Sequence, residues 1–216
     1  MPTLAWNSTC HLLDAAIGPS LQFWAPDSCN IDTAVAMTVT SLPRLEHLEF
    51  PQVHDDDDDT DLISAAFMIK LVSSRPPLRI VNLNWSRLES ESILTSLLSA
   101  WPTLQHLCLG ECSPITDTTL AALSNDPPLH SLELLRQVEL TSPAIASYLR
   151  ARGSKLRRLD LHWSKEPDAL VLAALASHAP NIESIQISQG GEDFTWGHTQ
   201  FSEDLVRTCP RSSFIP

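Results

Sequence analysis

Cysteine and histidine side chains that lie close together are the residues of this chain best suited to metal binding or covalent chemistry. Cys108 and Cys112 stand four positions apart, and His106 lies two positions before Cys108. Two such thiols suit a zinc ion, and a cysteine beside a histidine suits nucleophilic catalysis. However, no second close pair completes a tetrahedral ligand set, and no nucleophile lies in a recognisable activating motif. We therefore predict no metal, no cofactor and no catalytic residue, and an enzyme with a cysteine nucleophile is the least favoured alternative.

A run of aspartates is a second candidate for ion binding. Asp55 to Asp59, with Asp61, place six acids within seven positions. Several carboxylates in one loop suit Ca²⁺ or a basic segment. A calcium loop also needs glycine turns and alternating ligands, and this run has neither. We interpret it as a solvated acidic loop whose role stays open.

A short apolar pattern, apolar-x-x-apolar-x-apolar, recurs along the chain and must organise the elements that carry these residues. Its six copies are Leu45-Leu48-Phe50, Leu78-Val81-Leu83, Leu104-Leu107-Leu109, Leu129-Leu132-Leu134, Leu156-Leu159-Leu161 and Ile182-Ile185-Ile187. The first positions of successive copies are 33, 26, 25, 27 and 26 residues apart. Intervals this regular indicate one structural unit used six times, with the acidic run as an insertion in the longest interval.

Each unit is predicted to contain one strand and one helix. The last two apolar positions of every copy are two apart, which places their side chains on one face of a strand. Downstream of most strands the apolar spacing becomes helical, and the predicted helix caps are Ser90, Thr116 or Asp117, Ser142 and Asp168, with Pro143 at a first helical position. A proline two residues before the next copy ends the helix at Pro43, Pro76, Pro102, Pro127 and Pro180.

Stacking of these units predicts the fold class. One unit of this size cannot bury its own apolar face, whereas stacked copies share a continuous core. We expect an α/β solenoid with a curved parallel sheet on the concave side and helices on the convex side. The repeats occupy residues 43–190, and residues 1–42 and 191–216 are expected to be irregular caps or degenerate, truncated repeats.

One repeat resembles a known family. Leu104-x-x-Leu107-x-Leu109-x-x-Cys112-x-x-Ile115-Thr116-Asp117-x-x-Leu120-x-x-Leu123 resembles the cysteine-containing leucine-rich repeat of the ribonuclease-inhibitor-like part of F-box proteins. At the Cys112 position the other copies carry Ser86, Gln137, Ser164 and Gly190. The resemblance implies a protein-recognition solenoid, and in members with an F-box it implies the substrate-binding part of an SCF-type ubiquitin-ligase adaptor. We find no F-box pattern in this sequence, so a ligase scaffold is an expected partner only if an F-box lies upstream.

Residues between the core positions of each strand are predicted to face the open side of the sheet. From these positions and the adjoining turns we select Glu49, Asn82, Asn84, Trp85, His106, Cys108, Glu133, Arg158, Asp160, His162 and Trp163 as candidate partner-binding residues. Acidic side chains are concentrated in the middle of the strands, which suits a protein segment that carries cations. Trp85 and Trp163 hold equivalent positions at the rim, where tryptophan often serves as a binding hot spot, although packing against a neighbouring turn explains them as well.

Charge and composition restrict the partner. The 216 residues carry a net charge of −12, and the pI is near 4.9. Nucleic-acid binding depends on clustered cations, so we expect no nucleic acid and instead a neutral or basic protein partner. Arg150, Arg152, Lys155, Arg157 and Arg158 form a local basic patch that suits an acidic partner, and helix-dipole complementarity explains part of it. A scaffold or inhibitor without any link to ubiquitin is the main alternative function.

Targeting features are few. No apolar run approaches the ~18 residues of a membrane span, so we expect no membrane insertion. The first twenty-five residues lack Lys, Arg and a continuous apolar core, and therefore do not match a secretory signal. Five cysteines are an odd number in a chain large enough to fold without disulfides, which favours reduced thiols. We predict a cytoplasmic or nuclear protein.

Overall fold

The computed structural model describes residues 22–24, 43–50, 62–63, 65–112, 115–125, 127–161, 168–186 and 213–214. Most of the six apolar copies fall within these ranges. The acidic run Asp55 to Asp59 and the candidate residues His162 and Trp163 lie outside them. The predicted division into residues 1–42, 43–190 and 191–216 is not tested.

Eight short strands of the described residues form one parallel sheet. In spatial order they are β1 (Phe23–Trp24), β2 (His47–Glu49), β4 (Ile80–Asn82), β6 (His106–Cys108), β7 (Ser131–Glu133), β8 (Arg158–Asp160), β9 (Ser184–Gln186) and β10 (Ser213–Phe214). Two further strands, β3 (Leu62–Ile63) and β5 (Arg87–Leu88), pair in parallel with each other. Five of the predicted strands continue the sheet from β2 without a break in register, as stacked repeats require.

The register places the same repeat position side by side in neighbouring strands. The central residues of β2, β4, β6, β7, β8 and β9 are Cα partners from one strand to the next, and each is at most 2% exposed. They are Leu48, Val81, Leu107, Leu132, Leu159 and Ile185. Residues on either side of them are partly exposed in most of these strands. The apolar pattern therefore determines which face of the sheet packs against the core, as predicted.

Helices pack behind the sheet and contact their neighbours in order. They are α1 (Ala65–Ser74), α2 (Glu91–Ala100), α3 (Asp117–Leu123), α4 (Ser142–Arg152) and α5 (Ala169–His178). Trp101 directly follows α2 as its C-cap and is 1% exposed, so it is a core residue at the helix end. In the described residues no helix has the length and apolar character needed to cross a bilayer.

The predicted caps are confirmed for three helices and corrected for the fourth. Ser90, Thr116 and Asp168 accept hydrogen bonds from first-turn amides of α2, α3 and α5. The cap of α4 is Thr141, and Ser142 is the first helical residue, ahead of Pro143. Thr141 is held there from outside its own repeat, which explains why the local pattern missed it.

A ladder of carboxylates links the starts of α2, α3 and α4; we call Glu91 and Asp117, with the threonines that they bind, the capping ladder. Glu91 Oε1 accepts hydrogen bonds from the amide and hydroxyl of Thr116, at 2.8 and 2.9 Å, and from those of Thr119, at 3.1 and 2.5 Å. Asp117 accepts from the amide and hydroxyl of Thr141, at 2.8 and 2.7 Å. Helices α2 and α3 thus each supply an acid that satisfies donors at the start of the next helix, where the positive end of the dipole also favours a carboxylate.

Candidate functional site

A continuous row of polar side chains crosses the outer face of the sheet, the face that points away from the buried core, near the carboxyl ends of the strands. We call it the acidic row; it consists of Glu49, Asn82, Cys108, Glu133, Asp160 and Gln186. Each residue is the direct Cα partner of the next, so neighbours stand one strand spacing, about 4.8 Å, apart. The structure thus brings five of the candidate residues together in one line. Their binding role stays a prediction.

Neutral hydrogen-bond donors hold the two glutamates of the acidic row. Asn82 Nδ2 donates to Glu49 Oε1 at 3.1 Å, and Asn84 Nδ2 donates to Glu133 Oε1 at 2.8 Å. The backbone amide of Asn84 in turn donates to Asn82 Oδ1 at 2.9 Å. Amide donors orient the carboxylates without neutralising them, so negative charge is retained on this face.

Gly110 allows Asn84 to reach across a repeat to Glu133. The Gly110 amide donates to Asn84 Oδ1 at 2.5 Å. A Cβ atom at this position would lie 2.9 Å from the same oxygen and 2.7 Å from Leu135 Cβ, closer than real contacts allow. A residue without a side chain is therefore required here. The sequence shows this glycine in the repeat, but not the contact that explains it.

Cys108 is a protonated member of the acidic row. Burial is the main cause that raises the pKa of its thiol to about 12. Glu133, both as a charge and as a hydrogen-bond partner, adds to this rise, with smaller contributions from Glu49 and Asp160. Burial alone raises the pKa of Cys112 to about 12. Since the thiolate is the nucleophile and the metal ligand, neither cysteine is prepared for that chemistry at neutral pH. Within the described residues no group of three or more His, Cys, Asp or Glu side chains is arranged to hold a metal ion.

A second row lies near the amino ends of the same strands. We call it the amino row; it consists of His47, Ile80, His106, Ser131, Arg158 and Ser184, again in direct register. His47 Nε2 lies 3.9 Å from Glu49 Oε2, and its ring packs edge-on against Phe23 with the centroids 4.4 Å apart. Burial lowers the pKa of His47, although the charge of Glu49 opposes this. Burial also lowers the pKa of His106, and the nearby basic side chains lower it further.

Trp85 occupies a left-handed turn that several repeats share. Its φ is 64°, and the equivalent residues Glu111 and Arg136 have φ values of 50° and 55°. The amide of Trp85 donates to Gly110 O at 2.7 Å, and that of Glu111 donates to Leu135 O at 2.8 Å, so the turns stack on one another. Left-handed backbone costs a residue with a side chain roughly 1–2 kcal/mol, and the stacked turns must supply that energy. The half-buried Trp85 therefore has a structural role in the turn beside any role in binding.

The residue after each of these turns is buried and helps to explain the Cys112 position. Ser86, Cys112 and Gln137 are at most 5% exposed. The Gln137 side-chain amide donates to the carbonyl oxygens of Leu109 and of Cys112, the latter at 3.1 Å. Gln137 thus satisfies turn carbonyls of the preceding repeat, whereas Cys112 fills the position as a small apolar group and the buried Ser86 hydroxyl has no hydrogen-bond partner among the described residues.

Solved structures give an independent comparison. An internalin (inlF) from Listeria monocytogenes matches with a TM-score of 0.52 and 16% identity, over 90% of this chain and 47% of the internalin. A chain of the TLR13–ssRNA13 complex matches with a TM-score of 0.47 and 21% identity, over 76% of this chain and 22% of the other. The chain therefore spans about half the length of the first of these proteins and about a fifth of the second. No family model and no curated protein matches it.

The sheet register, the buried repeat positions and the internalin likeness together define the class of fold. It is an α/β leucine-rich-repeat solenoid, as predicted, with the sheet on the concave side and the helices on the convex side. We therefore call the outer face of the sheet, which carries the acidic row and the amino row, the concave face. The cysteine-containing, ribonuclease-inhibitor-like subfamily is not confirmed and stays a prediction.

Proposed function

We propose that this chain recognises a protein partner on its concave face and that the acidic row binds basic side chains of that partner. The observation that supports this most directly is the hydrogen bonding of Glu133. Glu133 accepts hydrogen bonds from the neutral Asn84 amide and the Cys108 thiol, and these contacts orient the carboxylate without pairing it with a cation. A carboxylate has about four acceptor positions, which leaves room for a lysine or arginine.

The rigidity of the surface favours binding. Neighbouring residues of the acidic row are fixed by the sheet register, and the side chains of Asn82 and Asn84 fix the two glutamates. A preorganised surface avoids part of the entropy cost of ordering side chains on association. Complementary charge then contributes mostly to specificity and to the rate of encounter.

A more specific form of the proposal is a substrate-binding role in an SCF-type ubiquitin-ligase adaptor. It is supported by the resemblance of residues 104–123 to the repeats of F-box proteins. The alternative is a scaffold or inhibitor that binds its partner without ubiquitin. Co-purification of the ligase scaffold with the natural full-length protein favours the adaptor, and recovery of the partner without any scaffold favours the alternative.

The recognition role is tested by affinity capture with matched charge reversals. Immobilised wild-type protein is compared with the double variant Glu133→Lys, Asp160→Lys and with a control double variant, Glu89→Lys, Glu139→Lys, which makes the same charge change at exposed positions outside the concave face. We expect partners that are retained by the wild type and the control but lost by the concave-face variant, while circular dichroism and thermal melting stay equal between the two variants. Identical recovery by all three proteins would refute binding at the acidic row.

A further inference from the structure

The amino edge of the sheet is lined by a third row of side chains that are mostly paired. This edge row consists of Glu46, Arg79, Gln105, His130, Arg157 and Glu183, each directly before a strand. Arg79 Nη1 lies 3.8 Å from Glu46 Oε2, and Arg79 Nη2 donates to Gln105 Oε1 at 3.3 Å. Arg157 Nη1 lies 3.3 Å from Glu183 Oε1. The arginines of the edge row therefore have acidic partners in neighbouring repeats.

Three basic side chains near the amino ends of β6, β7 and β8 differ from this pattern; we call His106, His130 and Arg158 the cationic patch. Within the described residues none of the three makes a hydrogen bond or ion pair through its side chain. Arg158 is exposed, and the two histidines are half-buried. Their positions are contiguous, because His106 and Arg158 are the Cα partners on either side of Ser131, and His130 directly precedes Ser131.

The patch adjoins an open groove. His130 and Arg79 line a cavity of about 370 Å³ at the amino edge, together with Glu46, which pairs with Arg79, and with Thr103, Gln105, Pro77, Pro102 and Pro128. The basic side chains are close enough to influence one another: after burial, the charges of His130, Arg158, Arg79 and His47 lower the pKa of His106. An anion placed here would relieve that repulsion and would give Arg158 the counter-ion that it lacks among the described residues.

We infer that the cationic patch binds an aspartate or glutamate side chain of the same partner segment whose basic side chains bind the acidic row. This inference deepens the proposed function and rests on it. Strand β8 presents charges of both signs two residues apart, Arg158 in the amino row and Asp160 in the acidic row, and this spacing separates the two rows by about 6.6 Å. The partner is thus a protein segment that carries both signs of charge in a set geometry.

The geometry also predicts the pattern of that segment. Successive side chains of an extended chain point to opposite sides. A segment that crosses the strands, with its backbone between the two rows, therefore turns alternate residues toward the cationic patch and toward the acidic row. A partner with alternating acidic and basic residues satisfies both rows at once.

A single carboxylate fits the patch better than a phosphate group. Arg158 is the one residue of the patch that is charged at every physiological pH. Glu133 and Asp160 of the acidic row lie two positions along the same strands, and the chain as a whole carries −12 charges. A dianionic phosphate, or a nucleic acid with many phosphates, meets this negative field at greater cost than a carboxylate.

Three peptides of ~12 residues, long enough to cross the described strands of the face, test the inference. The first alternates Glu and Lys, the second alternates Gln and Lys, and the third has the composition of the first in Glu-Glu-Lys-Lys order. Binding to the full chain is measured by fluorescence anisotropy at physiological salt. The variant is Arg158→Gln, and the matched control is Arg157→Gln, which removes the same charge one position earlier from an arginine paired with Glu183.

We expect the alternating Glu-Lys peptide to bind more tightly than the Glu-Glu-Lys-Lys peptide. Arg158→Gln should weaken the Glu-Lys peptide about tenfold and leave the Gln-Lys peptide unchanged, while Arg157→Gln changes neither. Equal effects of Arg158→Gln on both peptides, or equal binding of the two peptide orders, would overturn the inference.

Two further outcomes separate the inference from its alternatives and from the proposed function. Tighter binding of an alternating phosphoserine-Lys peptide, or Arg158-dependent binding of a single-stranded RNA of similar length, would assign the patch to phosphate and overturn the carboxylate. If Glu133→Gln leaves binding of the Gln-Lys peptide unchanged, the proposed function fails. If Glu133→Gln weakens that peptide but Arg158→Gln does not discriminate between the peptides, only the further inference fails.

Discussion

Carboxylates occur at repeat spacing in two regions of this protein, the capping ladder behind the sheet and the acidic row in front of it. Glu91 accepts hydrogen bonds from two amides and two hydroxyls. All four donors belong to Thr116 and Thr119, at the start of the helix of the next repeat. Glu133 receives hydrogen bonds from an asparagine amide and a thiol at the surface. The comparison suggests that saturation by backbone donors marks an acid that stabilises the fold, and that partial saturation by neutral side chains marks an acid available for recognition.

The core beneath the acidic row should give the largest effect on stability. Leu132 is fully buried directly between Ser131 and Glu133, so Leu132→Ala removes side-chain volume that the stacked repeats cannot readily refill. We expect a loss of ~2–5 kcal/mol in the free energy of unfolding, measured by urea denaturation. A loss below about 1 kcal/mol would contradict the shared core on which both regions depend.

The capping ladder should give the next largest effect. Glu91→Gln removes the negative charge and replaces one of the two acceptor oxygens by an NH2 group that cannot accept, so the remaining oxygen satisfies fewer of the donors of Thr116 and Thr119. We expect a loss of ~1–2 kcal/mol. The exposed Glu139→Gln is the matched control and should change the free energy of unfolding by less than about 0.5 kcal/mol. Equal losses from the two variants would show that the ladder does not stabilise the helix starts.

The same variant has a defined pH dependence. Burial raises the pKa of Glu91, but the hydrogen bonds from Thr119 and Thr116 outweigh it and lower the pKa below its usual 4.5. A carboxyl group with a lowered folded-state pKa contributes stability above its unfolded-state pKa and loses that contribution as the pH falls through the folded-state pKa. The difference between wild type and Glu91→Gln should therefore be full near neutral pH and shrink in acid below 4.5.

A variant of Gly110 tests how the acidic row is held in place. Gly110→Ala forces Asn84 and Leu135 to move, because the new Cβ would lie within 3 Å of both. We expect a loss of about 1 kcal/mol and disruption of the hydrogen bond from Asn84 to Glu133, visible as a shift of the Asn84 side-chain amide resonances. Unchanged resonances would mean that Gly110 does not control the position of Asn84.

The histidines of the amino row should give the smallest effect on stability. The pKa of His106 is lowered from 6.5, mainly by burial, so the unfolded chain takes up a proton more readily than the folded chain. Stability should decline as the pH falls from neutral through 6.5 toward the lowered folded-state pKa. His106→Gln should reduce this decline, measured by urea denaturation across this pH range, and an undiminished decline in the variant would contradict the assignment.

Much of the fold was predictable because it depends on local spacing. The positions of Leu48, Leu107 and Leu159 repeat at intervals that leave a strand face and a stacked core as the consistent solution. The cap of α4 was misplaced by one residue because Thr141 is held by Asp117 of the preceding repeat, a contact that no local pattern encodes.

The residues of the candidate site could be predicted from the sequence, but the hydrogen bonds that connect them could not. Alternation along each strand placed Glu49, Cys108 and Glu133 in one row, as the register shows. The bridge from Asn84 to Glu133 joins residues 49 positions apart and depends on a glycine between them, so spacing alone did not reveal it. The left-handed turn shared by Trp85, Glu111 and Arg136 was also missed, because these residue types are unusual where positive φ is needed.

The most direct test of the account measures stability and binding in the same variant, Glu133→Gln. This change keeps the shape of the side chain and removes its charge. We predict that the free energy of unfolding changes by less than about 0.5 kcal/mol, while binding of the alternating Gln-Lys peptide weakens about tenfold. A loss of stability as large as that of Glu91→Gln, with peptide binding unchanged, would show that the acidic row serves the fold and not recognition.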